Sequence, residues 1–106
     1  SGSKEGDSAQ LEKIGMKVRD VTADILSRLG YAQNDMEGVL IEEIEPGSPS
    51  DNGMLKPGMI ILSVNRTPVK NVDQFNKAMK GAVKSKRILL RVKNPQASWF
   101  VVIRPE

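Results

Sequence analysis

Short apolar runs separated by turn-forming residues dominate this chain. Runs rich in β-branched and other apolar residues predict five or six strands, at residues 14–21, 38–44, 59–64, 69, 88–92 and 99–103. The run at 59–64 is almost uninterrupted, which predicts a central strand buried on both faces of a sheet. The segment at 45–53 is dense in glycine, proline and other turn formers, with room for one helical turn after Pro49.

Two other segments have the periodicity of helices. The first covers 23–29, where Thr22 is a good N-cap and Gly30 can adopt the left-handed conformation that ends a helix. The second covers 72–80 and is expected to end at Gly81.

The second predicted helix has an apolar stripe that is wider than packing on one sheet requires. Its core face carries three residues, Phe75, Ala78 and Ala82. The edge of the stripe carries three more, Val72, Asn76 and Met79. Such an edge either completes a broad core stripe, with a flexible methionine filling a gap, or borders a groove.

The balance of strands and helices predicts a mainly β fold with two helices. We expect a small, partly open β-barrel or sandwich, in which helices cap a mostly antiparallel sheet. A chain of 106 residues is long enough for one domain and too short for two. Residues 1–10 are polar and begin with Ser1-Gly2-Ser3, which resembles a cloning remnant. We expect them to be a disordered tag or linker, and the folded domain to cover 11–106.

The charge of the chain limits its partners. It carries 16 basic and 13 acidic residues and a net charge of +3, which favours mildly acidic partners. The basic residues of the second half have no interleaved aromatic residues for base stacking: Lys77, Lys80, Lys84, Lys86, Arg87, Arg91 and Lys93. We therefore expect no nucleic-acid partner. No signal peptide is visible, and no apolar run approaches the ~20 residues of a membrane span, so no span is expected.

The composition also argues against catalysis by this segment. The chain has no histidine, so no Ser-His-Asp or Cys-His constellation can form. It has no cysteine, which excludes thiol catalysis, zinc–thiolate sites and disulfides. The acidic residues lie mainly in polar runs such as 42–45, which are typical of a solvated surface. We expect no catalytic residue, metal or cofactor, and do not expect the segment alone to be an enzyme.

One short motif indicates a binding function. In Lys13-Ile14-Gly15-Met16 a glycine lies between two apolar residues, directly before the first predicted strand. Glycine accepts positive φ, so successive backbone N–H groups can point at one anion, including the terminal carboxylate of a peptide. If the following strand has a free edge, the rest of that peptide can pair with it. Taken alone, the motif is a weak signal, because the ordinary beginning of a strand often has residues of the same kind.

The order of motifs along the chain resembles a PDZ domain of the bacterial Deg/HtrA (Do-type, DegQ-like) serine proteases. The resemblance covers residues 11–106 and is carried by Gly-Val-Leu-Ile, Glu-Pro-Gly-Ser-Pro, Lys-Pro-Gly and Ile-Ile-Leu-Ser-Val-Asn, which all lie within 38–65. The segments 14–22 and 100–106 most resemble the second, C-terminal PDZ domain of such proteins. In that family the strand that opens an animal-type PDZ domain comes last, here at 99–103. Met59 departs from the family, which usually has an acidic residue there.

The resemblance implies that a peptide binds by β-strand addition. Its carboxylate would bind the backbone N–H groups of Ile14, Gly15 and Met16, and its chain would pair antiparallel to 16–19. Its last side chain would enter an apolar pocket formed by Ile14, Met16, Val18, Met79 and Phe75, and its third from the end would face Val72 and Asn76. Lys13 or Lys80 would add charge attraction for the carboxylate. The predicted site comprises eleven residues: Lys13, Ile14, Gly15, Met16, Lys17, Val18, Arg19, Val72, Asn76, Met79 and Lys80.

The resemblance also implies a parent protein, a cellular location and partners for this segment. The parent protein would be a periplasmic protease-chaperone of protein quality control, with its protease domain N-terminal to this segment. The partners would be peptides or unfolded-protein segments, C-termini preferred, and the neighbouring protease and PDZ domains of the same chain. In a different reading, this domain helps to assemble the protease into larger oligomeric cages and binds little peptide itself. Both readings remain open at the level of the sequence.

Overall fold

Six antiparallel strands and three helices make up the described part of the chain. The computed structural model describes residues 15–32, 37–82, 84 and 87–104. The strands are β1 Met16–Asp20, β2 Val39–Ile44, β3 Ile60–Val64, β4 Thr67–Pro68, β5 Ile88–Lys93 and β6 Ser98–Ile103. The helices are α1 Ala23–Leu29, α2 Pro49–Asn52 and α3 Val72–Ala82. The predicted mainly β architecture is confirmed, and α2 is the helical turn expected after Pro49.

All six strands belong to one open sheet. Its order is β1-β2-β3-β5-β6, with the short β4 pairing with β3, and every pair is antiparallel. The β1–β2 register shifts between Lys17 and Val18, and the β3–β5 register shifts between Ile61 and Ser63. Such irregularities bend and twist a sheet, which lets it wrap around a core. The order leaves β1 and β6 at the two edges.

Side chains of β2 and β3 alternate between two apolar clusters, one on each face of the sheet. Ile61 belongs to the larger cluster, which α3 covers, and Ile60 to the smaller one, which α1 covers. Neighbouring residues on a strand point to opposite faces, so a nearly continuous apolar run can supply both clusters. The prediction of a central strand with both faces covered is therefore confirmed, although Leu62 and Ser63 remain half-buried.

Helix α1 begins and ends as the sequence predicts. The Thr22 hydroxyl accepts a hydrogen bond from the Ile25 amide (3.2 Å), and Gly30 ends the helix in the left-handed conformation. The segment after it is held by Tyr31, whose buried hydroxyl donates to the Gly58 carbonyl (2.6 Å) and lies 3.1 Å from the Lys93 carbonyl. This side chain therefore connects the end of α1 to the turn before β3 and to the end of β5.

Helix α3 differs from the prediction in its end point and in its orientation. It continues through Gly81 to Ala82, which is buried in the larger cluster. Met79, one of the residues at the edge of the stripe, is only 1% exposed, whereas Ala78, expected in the core, is half-buried and packs against the larger cluster. At 100° per residue Met79 lies about 40° from Phe75, so the buried face is centred nearer to Met79. Met79 belongs to a broad core stripe because edge strand β1 packs beside the helix and covers the side on which Met79 lies.

We expect Phe75→Ala and Met79→Ala to be similarly destabilising. Both side chains are essentially fully buried, so truncation leaves a cavity and should lower the free energy of unfolding by about 2–5 kcal/mol. Lys77→Ala, on the exposed side of the same helix, is the control and should change it by less than about 0.5 kcal/mol. Urea denaturation measures all three. A Met79→Ala variant as stable as the control would contradict the burial of Met79.

Candidate functional site

The edge strand β1 and helix α3 border the candidate site. One side of β1 pairs with β2, and within residues 15–32, 37–82, 84 and 87–104 no strand pairs with its other side. Met16 is buried in the cluster that α3 covers, and the half-buried Val18 packs against the same cluster. The free backbone edge of β1 therefore lies next to a helix, with apolar side chains between them.

A hydrogen bond holds one end of this arrangement together. The backbone amide of Val72, at the start of α3, donates to Oδ1 of Asp20, the last residue of β1 (2.8 Å). The first amides of a helix have no partner within the helix, and the positive end of its dipole favours a carboxylate. Asp20 was not among the predicted site residues. A carboxylate at the end of a strand has no sequence signal for pairing with a helix that begins 52 positions later.

Gly15 lies at the other end of β1 and has a backbone that only glycine accommodates readily. Its φ is +72°, as the proposed anion-binding turn requires. Its carbonyl accepts a hydrogen bond from the Glu45 amide (2.8 Å), and a Cβ at this position would collide with the Ser48 side chain. Ser48 itself is fixed, because its hydroxyl donates to the Glu45 carbonyl (2.6 Å) and accepts from the Asp51 amide (3.2 Å). Predicted residues Lys13 and Ile14 lie outside the described residues.

Lys17 and Arg19 point away from α3. Both contact Glu42 on β2, at 3.7 Å and 3.6 Å, and all three side chains are solvent-exposed. Exposed ion pairs of this kind contribute about 0–1 kcal/mol, so the cluster adds little to stability. At the free edge of β1, Lys17 and Arg19 can serve a ligand through their backbone groups, whereas Met16 and Val18 offer side chains on the α3 side.

Helix α3 contributes three further predicted residues with different environments. Val72 is half-buried against the larger cluster, and Lys80 is exposed. Asn76 is only 4% exposed, and its Oδ1 atom has no hydrogen-bond partner among the described residues. A buried amide oxygen without a donor is costly, typically about 1–3 kcal/mol. The Oδ1 atom of Asn76 is therefore a hydrogen-bond acceptor without a donor among the described residues, and it lies on the helix that packs beside β1.

A second concave surface lies on the opposite face of the sheet. It has a volume of about 240 Å³ and is lined by Arg19, Ile25, Leu29 and Pro57, among others. Its walls are side chains of α1 and of the turn before β3, together with parts of β1 and β2 that pair with each other. Apart from Arg19, the strand residues that line it, Leu40, Ile41 and Glu42, belong to β2, which pairs with a strand on each side.

Neither a metal-ligand cluster nor a membrane-spanning helix is found among the described residues. No group of three or more acidic side chains there is arranged to hold a metal ion, and the chain has no histidine or cysteine. None of the described helices has the length and apolarity to span a membrane. The candidate site is thus a strand edge beside a helix, with Gly15 at one end and Asp20 at the other.

Comparison with known proteins gives relatives at the level of family and fold. A family model described as "PDZ domain" matches residues 4–93. The "Probable periplasmic serine endoprotease DegP-like" of Chlamydia muridarum is 36% identical over 104 residues, 98% of this chain and 20% of that protein. Human "Serine protease HTRA3" is 27% identical over 97 residues, 88% of this chain and 21% of its own length. The chain thus spans about a fifth of these relatives.

Solved structures agree with this fold. The HtrA3 PDZ domain bound to a phage-derived ligand, FGRWV, superposes with a TM-score of 0.71 at 26% identity, covering 88% of this chain and 83% of that one. The HtrA-type protease AlgW with a decapeptide also has a TM-score of 0.71, at 17% identity, covering 86% of this chain and 27% of that one. The latter likeness concerns the fold alone.

We expect Gly15→Ala to be more destabilising than Gly47→Ala. Both glycines have positive φ, +72° and +79°, so both variants carry the backbone strain of about 1–2 kcal/mol. At Gly15 the added Cβ would also collide with the Ser48 side chain, whereas nothing lies within 4 Å of a Cβ on Gly47. Gly15→Ala should therefore lower the free energy of unfolding by about 1 kcal/mol or more beyond the effect of Gly47→Ala, as measured by urea denaturation. Equal losses for the two variants would show that Ser48 moves aside without cost.

Proposed function

The chain belongs to the PDZ domain family, and on that premise we propose that it binds the C-terminal segment of a peptide or unfolded protein. The ligand adds to the free edge of β1 as an antiparallel strand, in the groove between β1 and α3. The observation that carries this proposal is the unpaired edge of β1 beside α3, with Gly15 in the left-handed conformation at its start. The HtrA3 PDZ domain, 26% identical, has been solved with a peptide ligand.

In this proposal the ligand backbone supplies affinity and its alternate side chains supply selectivity. The main chain pairs with residues 16–19, and the terminal carboxylate accepts hydrogen bonds from the amides of Ile14, Gly15 and Met16, with Lys13 adding charge attraction. Ligand side chains that point toward α3 are the last and the third from the end, because side chains alternate along a strand. Lys80, exposed on α3, adds long-range attraction for the carboxylate.

The last ligand side chain meets a pocket rich in methionine. Met16 and Met79 belong to the cluster that α3 covers, and Val18 packs against it. Methionine is unbranched and flexible, so two of them can reshape a pocket without moving the backbone. We therefore assign apolar C-terminal residues of different sizes to this pocket, with Met79 setting the upper limit.

The third ligand residue from the end meets Asn76 and Val72. The unpaired Oδ1 atom of Asn76 supports selection of a hydrogen-bond donor at this position. The HtrA3 ligand FGRWV has arginine, a donor, in the corresponding place. We propose that Asn76 gives this chain the same kind of preference, since a ligand donor would satisfy an oxygen that is otherwise buried without a partner.

We further propose that the domain is part of an HtrA-type serine protease in the periplasm, most like its second, C-terminal PDZ domain. The DegP-like relatives, 32–36% identical over nearly the whole chain, support this setting and carry "periplasmic" in their names. There the domain delivers C-termini or hydrophobic segments to the protease domain as part of protein quality control. Its other partners are the neighbouring protease and PDZ domains of the parent chain.

The carboxylate mechanism predicts a difference between free and amidated peptides. FGRWV with a free C-terminus should bind this chain in the micromolar range or more weakly, about 6–8 kcal/mol at best, and the amide should bind more weakly still. ¹⁵N NMR titration should show shifts in residues 15–19 and 72–80. Equal affinity of the two peptides would contradict the carboxylate site. No binding at millimolar concentration would favour the assembly role over peptide binding.

Asn76 should control selectivity at the third residue from the end. The wild-type chain should prefer FGRWV to FGAWV by about fivefold, the equivalent of one hydrogen bond worth ~1 kcal/mol. Asn76→Leu should abolish this preference without loss of stability, because it removes a buried oxygen that has no partner. Lys77→Gln, next to it on the exposed side of α3, is the matched control. A preference retained in Asn76→Leu would exclude Asn76 as its source.

A further inference from the structure

The sheet has a second unpaired edge, at β6. Strand β6 covers six residues, Ser98–Ile103, and pairs with β5 along its whole length without a register shift. Among the residues that the structure describes, no strand pairs with its other side. Edge strands are usually protected by charged residues, proline or a bulge. The sequence of β6 has neither charge nor proline, so its row of backbone donors and acceptors lacks these protections.

The outer face of β6 exposes apolar side chains. Val101 and Ile103 point inward, where they lie beside Gly53 at the end of the α2 turn. Phe100 and Val102 point outward and are 58% and 47% exposed. The β5–β6 register places Val102 opposite the half-buried Leu89 and Phe100 opposite Arg91. We name these four residues, Leu89, Arg91, Phe100 and Val102, the β6 patch.

The charge on the β6 patch is positive. The Arg91 guanidinium lies 5.8 Å from the centre of the Phe100 ring, which keeps a cation over the apolar surface. Arg87 before β5 and Arg104 after β6 are exposed as well. Arg87, Arg91 and Arg104 therefore give the β6 patch a positive charge that attracts acidic groups.

We propose that the β6 patch docks an extended acidic segment of a partner protein. The segment pairs with the free edge of β6 through its backbone, places apolar side chains against Phe100 and Val102, and directs carboxylates to Arg91. Charge complementarity favours this occupant over a second copy of the chain, which would bring the same cations to the contact. It also fits better than a nucleic acid, because the patch offers a strand edge and a single aromatic ring rather than a series of stacking platforms.

This site is separate from the peptide groove. The sheet order puts β6 and β1 at opposite edges, three strands apart, so both edges can be occupied at once. Binding at β6 needs no terminal carboxylate and no contact with α3. The inference therefore does not depend on the function proposed above, and the two can be tested separately.

Two capped peptides test the proposal on the 106-residue chain. The acidic probe is acetyl-Thr-Val-Thr-Glu-Thr-Val-Thr-Glu-amide, which puts valine and glutamate on one face of a strand; the basic probe has lysine in place of glutamate. Both lack a free carboxylate terminus, so neither can use the proposed groove mechanism. The acidic probe should shift amides of β5 and β6 in a saturable, salt-dependent way, and the basic probe should bind at least about tenfold more weakly.

Charge reversal at Arg91 provides the decisive comparison. Arg91→Glu should lower affinity for the acidic probe about tenfold and make the basic probe the better ligand. Lys77→Glu changes the net charge equally on the exposed side of α3, and should leave the preference unchanged. Phe100→Thr keeps a strand-forming residue but removes the ring, and should weaken binding of both probes. Retained β5 and β6 amide spectra will verify that each variant is folded.

Four results would overturn the proposal. The first is amide shifts confined to β1 and α3 when the acidic probe is added. The second is equal binding of the two probes by the wild-type chain. The third is a preference for the acidic probe that Arg91→Glu does not reverse. The fourth is competition at β6 by another occupant: concentration-dependent self-association that shifts the same amides, or binding of an oligothymidylate there with affinity equal to that of the acidic probe.

Discussion

The two-sided burial of β3 is the constraint on which the rest of the fold depends. Its residues alternate between two apolar clusters, so the sheet needs cover on both faces. Helix α3 provides that cover on one face and α1 on the other, and strands β2, β4 and β5 pair with β3. The strand that must be buried on both faces thus lies at the centre of the sheet. Among the described strands, the edge strands β1 and β6 each pair on one side only, which leaves backbone groups available for other chains.

The two edges differ because different elements lie beside them. Strand β1 has α3 as a neighbour and is held to it by the Asp20–Val72 hydrogen bond, so its edge forms one wall of a groove. Strand β6 has the short helix α2 against its inner face, and its outer face carries Phe100 and Val102 toward solvent. A groove selects an extended chain by the side chains that fit between its walls. An open edge with an apolar surface selects more loosely, so surrounding charge has greater weight there.

The elements of the fold followed from local patterns, whereas their orientation did not. Apolar runs located five of the six strands, and Thr22 and Gly30 located the ends of α1, because these signals act within a few residues. The short strand β4 was expected at 69 but lies at Thr67–Pro68, because it is defined by pairing with β3 and not by an apolar run. The rotation of α3 depends on β1, more than 50 positions earlier, so the helical periodicity alone could not decide whether Met79 is buried. Gly81 did not end α3, since burial of Ala82 in the core outweighs the low helix propensity of one glycine.

The residues of the candidate site also fall into two groups, those located by local sequence signals and those that depend on contacts between distant segments. Gly15 could be recognised from sequence because a glycine between apolar residues before a strand is a local signal of positive φ, and +72° is its value. The Ser48 side chain behind it, the carboxylate of Asp20 and the unpaired oxygen of Asn76 depend on contacts between distant segments. Lys17 and Arg19 were placed correctly along the chain, but only the β1–β2 pairing shows that their side chains face Glu42.

The hydrogen bond between Asp20 and Val72 has a consequence for the energetics of the domain. The walls that it joins come from opposite halves of the sequence, so the groove exists only after the long-range part of folding is complete. Neither wall alone, nor an unfolded chain, offers a ligand the same surface. A peptide held between them therefore binds the native state selectively and raises its free energy of unfolding by RT ln(1 + [L]/Kd). Through this linkage, the supply of ligand sets how long the domain itself resists unfolding and proteolysis.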